Sequence, residues 1–187
     1  MIYDVIRYPD PRLETPCDPV EEFGAPELER LVADMFETMY YHKGVGLAAP
    51  QIGVMKQIAV LDVSLGEDPG QKIVIINPKI VRQEGRIREE EGCLCFPGFR
   101  EKITRAARVV VAAKDVSGME IHIEAGDLLS RALQHEIDHL NGILFIRHMS
   151  ALKRDLIRRK IRKMIKAGEW GPVVPGPKRE ESSVVKA

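Results

Sequence analysis

Apolar residues recur every three or four positions between residues 25 and 44. Leu28, Leu31, Val32, Met35, Phe36 and Met39 form one stripe, and charged side chains fill the rest. This predicts a first long helix, opened by Pro26 and ended by Gly44. The stretch before it, "YPDPRLETPCDPV" (8–20), has four prolines and predicts an extended loop. From 57 to 125 the period shortens. "QIAVLDV", "KIVIINP", "KIVRQEGRIREE", "ARVVVAAKD" and "MEIHIEA" are runs rich in Val and Ile, bounded by Gly, Pro, Asn and Asp, and they predict strands. Helical spacing returns from about Asp127 to Asn141 and stops at Asn141-Gly142. "ILFI" (143–146) predicts a short strand, and a third helix is predicted from about Ser150 to Gly168. The fold class is therefore α+β: short antiparallel or mixed sheets around a central helix, with one helix before and one after. Residues 1–168 form the expected single domain, and 169–187, rich in Pro and Gly and then charged, an expected flexible tail.

The length of 187 residues, 44% of them hydrophobic, suits one domain with a substantial core. Lys plus Arg equals Asp plus Glu at 28 each, so net charge selects no partner. The distribution is uneven. Residues 151–187 hold 11 basic and 4 acidic residues, a balance of +7, which leaves −7 for 1–150. Three cysteines (Cys17, Cys93, Cys95) argue against a disulfide framework and fit a reducing compartment. The N-terminal "MIYDVIRYPD" has no apolar signal-like core, and no apolar run approaches the ~18 residues of a membrane span. A cytoplasmic protein without a membrane role is expected.

The central helix carries the chemistry. In "RALQHEIDHLNGILF" (131–145), His135 and His139 stand four apart, with Glu136 after the first. At about 100° per residue the two imidazoles share one face, ~40° apart. Leu128, Ala132, Leu129, Leu133, Ile137 and Leu140 make the helix apolar nearly all round, so it is expected in the interior. Two buried histidines need partners, since an unpaired polar group costs about 1–3 kcal/mol. Backbone or carboxylate groups would serve, and so would one divalent metal. Glu136 points ~100° away from His135, placed to reach a water beside the metal rather than to ligate. The extended zincin pattern would put a third histidine at 145, which is Phe145, and the downstream glutamates Glu169, Glu180 and Glu181 lie at or beyond the last helix. Upstream, Cys93 in "EEEGCLCFPGF" is a third-ligand candidate, or else a small buried hydrophobe.

"GVGLAAPQIG" (44–53), "EGCLCFPG" (91–98) and "QHEIDHLNG" (134–142), in this order and spacing, resemble the three motifs of the bacterial peptide deformylases. The likeness extends from residue 1 to about 165 and includes "YPDPRL". The resemblance implies a metal-dependent hydrolase that removes the N-formyl group from the initiator methionine of nascent chains and releases formate. It implies Cys93, His135 and His139 as metal ligands and Glu136 as acid/base. It implies the Gln51 amide and the Leu94 N–H as oxyanion donors, and the backbone at Gly46 as a substrate contact. The expected ion is one Fe²⁺ per chain, with Zn²⁺ or Ni²⁺ able to replace it. An apolar methionine pocket near Val45, Leu128, Leu129 and Ile137 is expected.

In one respect the chain departs from the family pattern: Cys95 stands where a serine is common, either as a small buried isostere or as a second thiol near the metal. The last helix, "SALKRDLIRRKIRKMIKAGEW", places Leu152, Leu156, Ile161, Met164 and Ile165 at helical spacing among eight Lys and Arg. It reads as an amphipathic helix packed on the domain. Its basic face would be solvated, or would contact the ribosome, as some members of the family do with a C-terminal extension. A monomer is expected. Two other readings compete: an HExxH metalloendopeptidase, which lacks its third ligand here, and a non-catalytic ribosome-docking metal protein, which would have no need of Glu136 and Gln51.

Overall fold

The computed structural model describes residues 1–171; the rest of the expected tail lies outside the described residues. The first helix, α1 (Pro26–Tyr41), starts at Pro26 and turns Leu28, Val32, Met35, Phe36 and Met39 inward. Seven strands follow before the central helix: β1 (Gly46–Ala48), β2 (Ile58–Leu61), β3 (Ile73–Glu84), β4 (Ile87–Gly92), β5 (Arg100–Arg105), β6 (Arg108–Lys114) and β7 (Glu120–Gly126). Five of them form an antiparallel sheet in the order β1-β2-β3-β6-β7, and β4 pairs with β5 in a separate two-stranded sheet. The central helix α2 (Asp127–Leu140) lies against β1, β2 and β7, and α3 (Ala151–Lys166) comes last.

Three apolar clusters hold these layers. Ala48, Ala59, Leu61, Ile75, Val109 and Val111 of the sheet meet Ala132, Leu133, Ile137 and Leu140 of α2. Leu47, Ile58, Val60 and Ile76 meet α1. Val5, Tyr8, Phe96, Ile103, Phe145 and Ile161 form the third, joining the N-terminal segment to the β4–β5 region and α3. β1 is therefore enclosed between α1 and α2, and its residues are buried on both faces.

Several elements differ from the sequence reading. The two runs at 72–84 form one strand, interrupted where Asn77 takes a positive φ (50°) and the register shifts between Ile76 and Lys79. Pro78 cannot donate to the ladder, so the irregularity falls there. The run at 79–90 breaks at Gly85 (φ 66°), where the chain leaves the large sheet for the small one. β5, "REKITR", has too few apolar residues to register as a strand; only Ile103 and Arg105 of it are buried. "ILFI" is not a strand. Leu144, Phe145 and Ile146 are all buried and pass into a 3-10 turn, Phe145–His148. Strand geometry would have sent alternate side chains to solvent.

The last helix also differs. Of its apolar residues only Ile161 is buried; Leu152 is 72% and Leu156 56% exposed. On the helical wheel these two leucines lie nearly opposite Ile161. The N-terminal turn of α2 surfaces as well, with Leu128 exposed. Trp170, assigned to the tail from sequence, is anchored: its indole N–H donates to Tyr8 O (2.5 Å) and its ring meets Phe99 edge-on.

Candidate metal centre and active site

The fold brings the three sequence motifs to one cavity of about 760 Å³, lined by Val45, Gly46, Gln51, Glu91, Cys93, Leu94, Leu128, Ala132, His135 and Glu136 among others. Each motif arrives on a different element. Residues 44–53 supply β1 and a 3-10 turn, Ala49–Ile52, closed by Gly53 in the left-handed region (φ 83°). That turn aims the Gln51 side chain across to the second motif. Its Oε1 accepts from Ala48 N (2.7 Å), which leaves Nε2 facing the sulfurs of Cys95 (3.5 Å) and Cys93 (3.9 Å). Cys93 follows β4 directly and opens a turn closed by Phe96 N donating to Cys93 O (2.9 Å).

On α2 the imidazoles of His135 and His139 lie with ring centroids 4.9 Å apart. Cys93, His135 and His139 each offer one ligand atom, and these atoms all lie within 4.8 Å of one another. His139 Nε2 is 3.2 Å from Cys93 Sγ. His135 Nδ1 lies 3.1 Å from Glu91 Oε2. A carboxylate only accepts, so Nδ1 carries a proton and Nε2 is the ring atom left to bind a cation. The set suits a divalent cation on two grounds. Ligands about 2.0–2.3 Å from one ion in a tetrahedral arrangement stand roughly 3.3–3.7 Å apart, which these side chains reach with small adjustments. Burial pushes the Cys93 thiol up to about 12, so a cation is what would hold it as a thiolate.

Glu136 is buried (4% exposed), and its Oε2 has no hydrogen-bond partner among the described residues. Burial pushes its carboxyl up to about 7. Its carboxylate rests on the Cα of Gly46. A Cβ built at Gly46 would stand 2.8 Å from Glu136 Cδ and 2.9 Å from Cγ, so no larger residue fits while Glu136 stays in place.

Behind Cys93, His135 and His139 lies a network that sequence reasoning missed. Arg105 on β5, itself buried, forks onto Glu91 (2.8 and 3.1 Å) and reaches Asp138 (2.5 Å), which also pairs with His148 (2.7 Å). Burial alone would raise Glu91, but the bonds from His135 and Arg105 outweigh it and hold its carboxyl at about 2. Glu91 thus stays ionised and keeps His135 oriented. The signal was present in "EEEGC" and "HEIDH", but nothing in sequence pairs Glu91 with Arg105 across the small sheet.

The expected pocket residues divide. Val45 and Leu128 line the cavity. Ile137 and Leu129 are absent from its lining and belong to the cluster between α2 and the large sheet, because both point away from the histidine face. Ala132 and Phe99 line it, although sequence reasoning passed over both as lining residues. Gly46, Gln51 and Leu94 all reach the cavity wall.

Comparison with known proteins gives a consistent result. Residues 2–155 match the model of the family described as polypeptide deformylase. A protein called peptide deformylase from Acidobacterium capsulatum is 56% identical over 170 residues, 91% of this chain and 99% of that one. One of the same name from Thermodesulfovibrio yellowstonii is 48% identical over 86% of this chain and 97% of its own. The crystal structure of a peptide deformylase from Legionella pneumophila superposes with a TM-score of 0.83 at 44% identity, covering 92% of this chain and all of that one.

Proposed function

This chain belongs to the polypeptide deformylase family and is a metal-dependent hydrolase that removes the N-formyl group from nascent peptides; we propose that its reaction is divided among the residues of the cavity as follows. Cys93, His135 and His139 hold one divalent ion, which when bound polarises the formyl carbonyl and makes a water acidic enough to attack near neutral pH. Glu136 takes one proton of that water and passes it to the nitrogen of the breaking C–N bond, so that the amine leaves neutral; the other water proton is then lost from formic acid, giving formate. A carboxyl held near neutrality by burial suits both halves of this transfer. The Gln51 amide has two N–H groups. One stays on Cys95 Sγ while the other, with the Leu94 N–H, donates to the oxygen that gains charge. The backbone at Gly46 holds the substrate chain, and Val45, Leu128 and Ala132 receive the methionine side chain.

The observation that carries this reading is the convergence of the three ligand atoms within 4.8 Å, beside a buried carboxylate with a free oxygen, at the wall of one cavity. The test is formate release from formyl-Met-Ala-Ser by anaerobically purified protein, beside Glu136→Ala. Turnover is expected in the first and nearly none in the second, with metal content unchanged. Full metal occupancy without turnover would overturn the assignment.

Fe²⁺ is the proposed native ion, with Zn²⁺ and Ni²⁺ as substitutes; this mixed sulfur and nitrogen set accepts all three. Every group named for the site lies between Val45 and His139 of one chain, and Ile161 of α3 joins the cluster of Phe96 and Phe145. These features support the single catalytic domain expected over 1–168, onto which Trp170 also packs, acting as a monomer. Among the described residues no helix is long and apolar enough to cross a membrane, which is consistent with the proposed cytoplasmic setting. The outward face of α3, with Leu152 and Leu156 among Arg159 and Lys163, supports ribosome contact. Cosedimentation with ribosomes should then fall steeply with salt.

A further inference from the structure

Cys95 is fully buried, and its neighbour two residues back forms part of the cavity wall. Both sulfurs approach one nitrogen, Gln51 Nε2, at 3.5 and 3.9 Å, which bounds their separation at 7.4 Å. The backbone between them is a turn, closed by Phe96 N donating to Cys93 O at 2.9 Å. Only Leu94 separates the two residues; fully extended their Cα atoms would stand about 7 Å apart, and the turn folds them closer, into the ~4.4–6.8 Å range that a disulfide bridges. The third cysteine, Cys17, sits in the cluster between α2 and the large sheet, apart from the cluster of Cys93 and Cys95. The pair is thus one thiol open to a small oxidant and one screened from it but in reach of the first.

We propose that Cys93 and Cys95 form a reversible disulfide under peroxide, which withdraws Cys93 from the metal and protects it from irreversible oxidation. The metal part rests on the reading of Cys93 as a ligand. In the first step the Cys93 sulfur attacks one oxygen of hydrogen peroxide. The O–O bond breaks, a sulfenic acid forms on Cys93, and the other oxygen leaves as water. The Cys95 sulfur then attacks the Cys93 sulfur, the S–S bond forms, and the sulfenic oxygen leaves as a second water. With both residues counted as thiols, two electrons pass from two sulfurs to the peroxide and two thiol protons end in the two waters. The second step is intramolecular, so burial of Cys95 does not impede it. A serine at 95 offers no sulfur, and the sulfenic acid there would go on to sulfinic acid.

The test uses zinc-loaded protein, wild type and Cys95→Ser, treated with hydrogen peroxide. The chain is then denatured, labelled with N-ethylmaleimide and weighed, while released zinc is read with a colorimetric chelator. The wild type should lose about 2 Da before labelling and take label at Cys17 alone, and dithiothreitol should restore two thiols and zinc binding. Cys95→Ser should gain about 32 Da at Cys93 and stay unable to rebind zinc. Oxygen added to Cys93 of the wild type, with Cys95 still taking label, would overturn the proposal, and needs no variant to fold. A disulfide formed with zinc retained would instead overturn Cys93 as a ligand.

Discussion

Gly46→Ala is the substitution whose outcome the packing defines most sharply. The added Cβ would stand 2.8 Å from Glu136 Cδ and 2.9 Å from Cγ, where carbon atoms normally rest ~3.5–4.0 Å apart. Relief needs a movement of roughly 0.7–1 Å. β1 cannot supply it readily, because Gly46 pairs with Leu61 and Leu47 and Ala48 are fully buried behind it. The Glu136 carboxylate has a free oxygen and the open cavity beside it, so it moves. A misplacement of about 1 Å at a reacting group can cost ~100-fold, or about 2.7 kcal/mol of barrier. Alanine keeps the backbone groups of residue 46, so the substrate contacts proposed for them survive. The expected result is a kcat for formate release about two orders of magnitude down, full metal content, and a stability loss of ~1–3 kcal/mol from overpacking. In a Glu136→Ala background the clash is gone, and Gly46→Ala should then lower neither stability nor residual rate. Equal losses in both backgrounds, or a wild-type kcat in the single variant, would refute the steric argument.

Other consequences concern the network behind Cys93 and the two histidines, and the loop after β2. Arg105→Met leaves the buried Glu91 and the half-buried Asp138 without their guanidinium and should cost about 3–5 kcal/mol, on the order of 10 °C in Tm by calorimetry; an unchanged Tm would show the network to be dispensable. Glu91→Gln removes the charge that orients His135, and stripping of metal by a chelator should go 10–100-fold more readily with the fold intact by circular dichroism. Chelation of the wild type should abolish formate release, and added Fe²⁺, Ni²⁺ or Zn²⁺ should restore it; activity that survives metal-free conditions would remove the cation from the reaction. Asp62 is buried, which alone would raise its carboxyl, but bonds from Ser64, Tyr40 and Gly66 prevail and hold it below its usual value. Its contribution to stability is therefore present above the ordinary carboxylate pKa and lost as pH falls through the lowered folded one. The stability gap between wild type and Asp62→Asn should be constant from about pH 7 to 5 and close in stronger acid; a gap independent of pH would contradict this.

The sequence by itself determined the parts of this protein that repeat on a local period or sit at fixed spacing. The stripe of α1 and the boundaries of α2 follow from 3.6-residue periodicity and a Gly142 stop. The shared face of His135 and His139 follows from four-residue spacing on a helix. The three motifs named the family before any fold was in view. Tertiary structure decided whatever depends on an enclosing partner. "REKITR" is a strand because β4 offers it a ladder, and "ILFI" is a 3-10 turn because three successive side chains find one cluster. Leu152 and Leu156 face solvent, since helical spacing fixes which residues share a face but not which face finds a neighbour. Glu91 with Arg105, and Gly46 with Glu136, lie 14 and 90 residues apart in sequence. Periodicity carries no information across such distances; only the antiparallel pairing of β4 with β5 and the stacking of α2 on β1 bring these groups into contact.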